Sequence, residues 1–456
     1  MMRGGLLALG LAASACMPVA SPDIATRAAV SMDSSTGLPP MKSFSKPRPS
    51  PAMVSNADLS RDILQLAFSL ESGRGLPAFT RFEGPVTLRL TGRPSQTMVS
   101  DLNQLVHRLR TEAQIDIRQV QAPVANITVE AIPRAEIRRY LPQAACFVVP
   151  NVSSLPEYLS ARRGDTVSWT TVVRRERVAV FIPSDAAPQE VRDCLHEEIA
   201  QALGPLNDMY RLAHSVFNDD NVHTVLTGYD MTVLRAFYAP ELRTGMSQRD
   251  VAARLPAILA RVNPAGNALP ARRLPSTPPA WTDAVQTALG PGASPAERRA
   301  AASEALSIAA TLGWTDHRRG FSHYVMGRIL QGADARAAQA QFILARQYFQ
   351  RAPDTELHQA YVASQLAAYA LGDRQPEEAL ALIGPHLDTA ARHENAALLA
   401  TLMLLRAEAL DASGRLSEGR QVRLDSLGWA RYGFGSDWAV RAKLREIGSL
   451  NPLKGG

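Results

Sequence analysis

Residues 193–208 read DCLHEEIAQALGPLND, and this stretch decides how the central part of the chain folds. Its apolar residues recur at helical spacing from Gln189 to Leu203, after which Gly204 and Pro205 stop the helix, and further helix is expected as far as Leu242. Helical runs also occupy 61–70 and 99–109. The strand-like runs that alternate with these helices lie at 86–90, 115–117, 127–129, 147–149 and 178–182. Several strands around one central helix predict an α/β or α+β domain with a mixed sheet over residues 57–260.

The central helix carries a pattern that is typical of zinc hydrolases of the zincin type. Such a helix needs two metal ligands four residues apart on one face, with a glutamate after the first ligand as general base. If His196 is taken as the first ligand, the second position falls on Ala200, which cannot coordinate a metal. His196 is therefore not expected to be a ligand.

The alternative register begins at Glu197 and places a polar residue at each ligand position of the motif. The general base is then Glu198, and Gly204 lies at the turn where a metzincin helix ends. In this register the three ligand positions are held by Glu197, Gln201 and Asn207. All three positions that hold histidine in an active zincin are thus replaced, and we interpret them as a metal or pseudo-metal site.

Three interpretations of this site stay open. Amide oxygens are poor ligands for zinc and are better suited to a hard ion. The residues favour a metal-free remnant, without a cofactor, whose polar face forms internal hydrogen bonds or binds a partner. A hard divalent ion bound by Glu197, Glu198 or the loop 218–221 is the second interpretation. The third is an atypical metallohydrolase of the peptidase type, with Glu198 as the catalytic base.

The residues around the motif resemble those of a known family. The run EExxQxLGxxND at 197–208, the run SVFNDDN at 215–221 and the run LRAFYAPELRTGM at 234–246 are similar to a family of bacterial lipoproteins, the domain of unknown function 2927. The resemblance covers residues 57–250. It implies an envelope location and a zincin-like domain, and it implies no reaction.

The start of the chain predicts export. Residues 1–15 have a positive start, a short apolar run and small residues before Cys16, which is typical of a lipoprotein signal peptide with Cys16 as the acylated residue. A plain signal peptide, with Cys16 uninvolved, is the alternative. Because residue 17 is Met rather than Asp, we expect anchoring in the outer membrane on its periplasmic face. Residues 16–56 are rich in Ser and Pro and are predicted to be a disordered tether.

The remaining cysteines fit an oxidising compartment. The chain has three cysteines, so Cys146 and Cys194 form an even pair once Cys16 carries lipid. A disulfide between them would join the central helix to the sheet. Two separate buried thiols are the alternative.

The C-terminal part is predicted to be helical throughout. A Pro-rich linker at 261–280 precedes it, and residues 281–456 are rich in Ala, Leu, Arg and Glu. The runs at 366–379 and 405–419 both end a helix at Gly and begin another about four residues later, at an offset of about 40 residues. These helical hairpins resemble tetratricopeptide repeats, whose arrays bind partners. An ordinary helical bundle is the alternative.

The charge distribution argues against nucleic-acid binding. The net charge is +6, but the arginines are spread along the chain without a basic stripe interleaved with aromatic residues. We therefore predict a lipid-anchored envelope protein in which a non-catalytic zincin-like domain is joined to a helical domain that binds a protein or envelope polymer. A second hypothesis stays open, in which the helical domain carries the function and the central domain is a spacer. The sequence leaves the oligomeric state open as well.

Overall fold

The computed structural model describes residues 37–44, 51–142 and 144–451. The predicted signal peptide and Cys16 lie outside these residues. The first region alternates helices and strands. In chain order these are α1 (Asn56–Phe68), β1 (Val86–Gly92), α2 (Gln96–Thr111), β2 (Ile117–Gln119), β3 (Ile127–Ile132), α3 (Arg134–Tyr140), β4 (Phe147–Pro150), α4 (Leu155–Ala161), β5 (Val178–Pro183), α5 (Pro188–Leu203), α6 (Gly228–Phe237) and α7 (Gln248–Val262).

The strands form one mixed sheet in the order β2-β1-β3-β5-β4. Neighbouring strands are parallel, except that β4 runs antiparallel to β5. Strand β5 is buried along its whole length, because helices cover both faces of the sheet. Val178, Val180 and Ile182 face the main core, whereas Ala179 and Phe181 face a smaller cluster beside α3 and α4. The predicted mixed sheet is confirmed.

Helix α5 lies against the sheet and is joined to it covalently. Pro188 occupies the first turn, where a missing N–H costs nothing. The disulfide between Cys194 in α5 and Cys146, one residue before β4, confirms the predicted pair. Gly204 ends the helix, and a Cβ atom there would lie 2.5 Å from the ring of Phe237, so this position requires a residue without a side chain. The expected continuation of helix as far as Leu242 holds for α6 and is wrong for residues 204–227, which form an irregular segment.

The second region is helical throughout the residues that the structure describes, as predicted. Its helices are α8 (Pro279–Leu289), α9 (Pro295–Thr311), α10 (His317–Leu330), α11 (Ala335–Arg351), α12 (Glu356–Gly372), α13 (Pro376–Ile383), α14 (Leu387–Arg392), α15 (Ala396–Ala412), α16 (Leu416–Phe434) and α17 (Asp437–Gly448). Consecutive helices pack as hairpins, most extensively α10 with α11 and α15 with α16.

The turns between these helices repeat at a fixed interval. Asp354, Arg374, Glu394 and Gly414 all have positive φ, and each is 20 residues after the one before. After the last three of these residues, the next N–H donates to a carbonyl five residues back: residue 375 to 370, 395 to 390 and 415 to 410. This is the bond that closes a Schellman motif at a helix end. Two such intervals make up the offset of about 40 residues that the sequence indicates.

The prediction of a disordered tether over residues 16–56 is wrong for the part that the structure describes. The Phe44 ring stacks on Trp429 with ring centroids 4.6 Å apart. The backbone N–H of Lys42 donates to the carbonyl of Gly428 at 3.0 Å, so residues 37–44 lie along α16. Further on, Val54 and Ser55 are buried beside α1. These apolar contacts offset the cost of ordering the chain, which the Ser and Pro content alone does not reveal.

Candidate functional site

Gln201 is four residues after Glu197 and three after Glu198, so it neighbours both carboxyl groups on the polar side of α5. His196 is turned away from this face. Its ring Nδ1 accepts a hydrogen bond from the backbone N–H of Leu226 at 3.0 Å, and burial lowers its pKa well below 6.5. A neutral histidine in that position supports the irregular segment after α5, and the sequence had already set it apart from the ligand face.

The amides at the second and third ligand positions form internal hydrogen bonds. The Gln201 amide donates to the Asp208 carboxylate at 3.0 Å. The Asn207 amide donates to the backbone carbonyl of Gln65 in α1 at 3.4 Å. Asp208, rather than Asn207, is thus the residue of this turn that contacts the helix face. Within the described ranges, no group of three or more His, Cys, Asp or Glu side chains is arranged to hold a metal ion.

Carboxyl groups from three segments gather around this face. We call them the acidic cluster, and its members are Glu71, Asp193, Glu197, Glu198, Asp208 and Asp219. Glu71 follows α1, three members belong to α5, and the last two lie in the irregular segment after it. Apart from Glu71, which is exposed, the side chains are buried or half-buried.

Burial and mutual repulsion disfavour ionisation throughout the acidic cluster. Burial raises the pKa of Asp193 to about 7. Burial, followed by the charges of Asp193 and Asp219, raises the pKa of Glu197 to about 8. The same two causes, with Glu197 and Glu71 as the neighbouring charges, raise the pKa values of Glu198 and Asp208 well above their ordinary values. Glu197 is therefore largely protonated at neutral pH.

The acidic cluster has no positive partner among the residues that the structure describes. No Lys, Arg or His nitrogen lies within 4 Å of a carboxylate oxygen of any member. Glu198 is only 6% exposed, and within the described chain it forms no hydrogen bond. The Oδ1 atom of Asp208 is likewise buried without a partner. This is an unusual state for buried carboxyl groups, which are normally paired or hydrogen-bonded.

The edge of the acidic cluster lies where the two regions of the chain meet. The Oδ2 atom of Asp219 accepts hydrogen bonds from the Tyr210 hydroxyl at 3.1 Å and from the Gln286 amide at 2.9 Å. Gln286 belongs to α8, in the helical region. Tyr210 packs edge-on against Trp281 of the same helix, with ring centroids 4.9 Å apart. The helical region therefore closes one side of the site.

The loop 218–221, which the sequence offered as a hard-ion site, is occupied by internal contacts. One Asp220 oxygen accepts from the Asn218 amide at 2.8 Å and pairs with the ring nitrogen of His358 at 2.8 Å. The other accepts from the backbone N–H of Val222 at 3.0 Å. Asp219 belongs instead to the acidic cluster, so the two neighbouring aspartates contact different parts of the protein.

A second group of titratable residues lies at the same junction, and the sequence missed it. We call it the histidine cluster; its members are His214, His223, His317, His358 and His393. The rings of His223 and His393 are 5.2 Å apart, and the Nε2–H of His317 donates to the backbone carbonyl of Tyr210 at 2.6 Å. Three members come from the helical region, more than 90 residues along the chain from the others, so no local pattern could reveal the cluster.

The fold is an α/β domain with a five-stranded mixed sheet, followed by an array of helical hairpins. Residues 56–257 match the model of the family described as Protein of unknown function (DUF2927). No match was found among curated proteins or among solved structures. In the described residues, no helix is both long and apolar enough to cross a bilayer.

Proposed function

We propose that the chain is an exported protein, anchored in the bacterial envelope by a lipid on Cys16, whose zincin-like domain binds a partner and does not catalyse hydrolysis. The observation that carries the proposal is the use of the ligand positions. The Gln201 and Asn207 amides are engaged with Asp208 and with the Gln65 carbonyl, and none of the three positions offers an imidazole or thiolate. Zinc prefers those two ligands, so the residues do not fit a catalytic zinc ion.

The disulfide supports the proposed compartment. Disulfides form and persist outside the reducing cytoplasm, and Cys146 and Cys194 are paired. The pairing leaves Cys16 as the remaining cysteine for acylation. The compartment is tested by labelling cells with a clickable fatty acid. We expect the label on the parent chain and its loss in a Cys16→Ser variant, and equal labelling of both chains would refute the anchor.

The helical region supports the site from within the molecule. Tyr210 joins the core of the helical region, and Val222 packs with Leu357 and Leu398 in that region. Both residues lie in the segment 204–227 that follows the motif helix. In our proposal these tetratricopeptide-like hairpins position that segment, and a protein or envelope polymer binds to the surface that remains.

The absence of catalytic zinc is tested by elemental analysis of protein purified without chelator, beside a Glu197→Ala/Gln201→Ala variant. We expect less than about one-tenth of an equivalent of any transition metal in both samples, because the site lacks the donors that hold such ions. Near-stoichiometric metal in the parent, lost in the variant, would contradict the proposal.

One observation favours the alternative, an atypical hydrolase that uses Glu198. A buried carboxyl group with a raised pKa is the environment in which proteins place a general acid. Because burial and the charges of Glu197 and Glu71 raise the pKa of Glu198 well above 4.5, Glu198 suits an acid better than the base that the zincin motif assigns to it. Peptide or cell-wall hydrolysis by the parent chain that is abolished in Glu198→Gln would establish this alternative over the binding protein.

A further inference from the structure

The acidic cluster contains several carboxyl groups, and within the described residues no side chain of opposite charge pairs with them. Its six members come from three segments, and within the described residues none of them pairs with a Lys, Arg or His side chain. Other buried carboxylates of this protein have partners. Glu394 pairs with Arg192, and Asp62 pairs with Arg211. Asp230 has no cation nearby, but its carboxylate accepts hydrogen bonds from the Ser215 hydroxyl and from the Val216 N–H.

Asp208 and Glu198 provide an independent indication that the cluster takes a partner from outside the chain. The Oδ1 atom of Asp208 is buried and has no hydrogen-bond partner in the described chain. Glu198 is 6% exposed and forms no hydrogen bond within the described residues, and the charges of Glu197 and Glu71 act on it. A buried carboxyl oxygen without a partner costs free energy unless a partner arrives from outside the chain.

The arrangement favours a ligand with several separated charges over a single ion. A hard divalent ion needs six or more oxygen atoms converging on one point. In the part of the chain that the structure describes, no three such side chains converge. Asp193 and Glu197 are instead one helical turn apart, which separates their Cα atoms by about 6 Å along the axis of α5. Asp219 extends the row toward α8.

We propose that the acidic cluster binds a flexible chain that carries two or more ammonium or guanidinium groups, with one of these groups held by Glu198. The inference rests on the proposed binding function and names its ligand chemistry. A lysine-rich protein segment and a polyamine share this chemistry. The half-buried members and the exposed Glu71 form the side from which such a chain enters, and the Gln201 and Tyr210 dipoles line the site.

The test is titration of the full-length mature protein with fluorescent pentalysine and with spermine at low and high salt. We expect saturable binding that weakens with salt, and at least a tenfold loss of affinity in Glu197→Gln/Glu198→Gln, which keeps the side-chain shapes. The matched control is Asp116→Asn/Asp165→Asn, which removes two exposed carboxylates elsewhere. It should change the affinity less than about twofold, because screened surface charges contribute little.

Each outcome decides the inference. Tighter binding of pentalysine identifies a protein segment as the source, and tighter binding of spermine identifies a polyamine. No saturable binding, or an equal loss in the two double variants, overturns the inference and leaves the metal-free binding proposal standing. Stoichiometric calcium binding that requires Glu197 and Glu198 overturns both. An Asp219→Asn variant provides a second test of the site in case the double variant misfolds. It should weaken binding without changing the circular dichroism spectrum.

Discussion

At the scale of single residues, Glu197 and Glu198 show how a site is maintained at the expense of stability. Burial raises the pKa of both carboxyl groups, and neighbouring carboxyl groups, among them Asp193 and Glu71, raise it further. A fold selected for stability alone would place amides or apolar groups on this helix face, since a buried carboxyl group without a partner is unfavourable. Their presence is the physical reason for treating this face as the functional site.

We expect Glu197→Gln to stabilise the protein at high pH. The pKa of Glu197 is raised from 4.5 to about 8, chiefly by burial. A group whose pKa is higher in the folded state stabilises the fold below its unfolded pKa, and this contribution is lost as the pH rises through the folded value. Glutamine cannot ionise, so the free energy of unfolding of the variant should exceed that of the parent by about 1–3 kcal/mol above pH 8.

Urea denaturation at acid and at alkaline pH measures this difference. Below the unfolded pKa the two chains should be nearly equal, because the parent carboxyl group is then protonated in both states. The exposed Asp116→Asn variant serves as the control and should follow the parent at every pH. A stabilisation of Glu197→Gln that does not depend on pH would show that ionisation of Glu197 is not involved.

At the scale of secondary-structure elements, the helical region is organised by its turns. Arg374, Glu394 and Gly414 occupy equivalent positions, with φ values of 59°, 53° and 81°. Only the last of the three is glycine, the residue that adopts a positive φ without steric cost. The sequence signal for the repeat was weak because Gly372 ends α12 two residues before Arg374, so the two glycines that the sequence offers do not occupy equivalent positions.

The equivalent turns allow a matched pair of substitutions. Arg374→Gly should stabilise the protein by up to about 1 kcal/mol, because it removes the strain of a left-handed residue. Gly414→Ala should destabilise the protein by about 1 kcal/mol, because it places a residue with a side chain in the left-handed conformation. A Cβ at this position would meet no atom within 4 Å, so the cost comes from the backbone conformation alone. Chemical denaturation of both variants checks the pair. Effects of the same sign would mean that the two turns are not equivalent.

At the scale of the whole molecule, the α/β domain and the helical region are joined by buried polar contacts. Arg192 of α5 pairs with Glu394, with side chains only 2% and 6% exposed. The Tyr432 hydroxyl of α16 donates to Asp101 of α2 at 2.7 Å, and the Gln189 amide donates to Asn395 at 3.1 Å. Such contacts specify one docked arrangement, because any other arrangement leaves buried charges unpaired.

Glu394→Gln should therefore loosen the junction. It leaves the Arg192 guanidinium buried without its carboxylate, which costs about 3 kcal/mol for a pair of this kind. We expect thermal unfolding to separate into two transitions and limited proteolysis to cut between the regions. The exposed pair Arg415 and Glu418 supplies the control, since Glu418→Gln should leave the unfolding transition unchanged. A single, unshifted transition in Glu394→Gln would contradict this account of the junction.

The histidine cluster predicts that the junction is sensitive to acid. Burial lowers the pKa of His317 from 6.5 to about 4. A group whose pKa is depressed in the folded state contributes stability that is present above the unfolded pKa and lost as the pH falls through the folded value. The parent should therefore lose about 2–3 kcal/mol more than a His317→Gln variant between pH 6.5 and pH 4.

The acidic cluster has raised pKa values, so its effect on stability depends on pH in the opposite direction. The stability of His317→Gln must therefore be compared with that of the parent chain at each pH. Glutamine retains a donor for the Tyr210 carbonyl, which limits other effects of the substitution. The exposed His107 provides a His107→Gln control that should keep the pH dependence of the parent. If His317→Gln and the parent lose stability in parallel, His317 is not the group that responds to acid.

The sequence by itself determined the elements and their type. Alternation in 178–182 and helical spacing in 189–203 depend only on neighbouring residues, and both predicted elements are present as β5 and α5. The pairing of Cys146 with Cys194 followed from counting cysteines. The relation of residues 56–257 to that family was visible in the motif, because its spacing is local.

Only the tertiary structure decided what surrounds the motif. Asp208 rather than Asn207 contacts Gln201, because the backbone after Gly204 takes an irregular path that no periodic pattern describes. Glu71, Asp219 and the histidines of the helical region reach the site from distant segments, and a one-dimensional pattern carries no information about such meetings. The ordered residues 37–44 depend in the same way on Trp429, almost 400 residues away. Local spacing specifies helices and strands, but contacts between distant segments specify the charge, burial and pKa of a site.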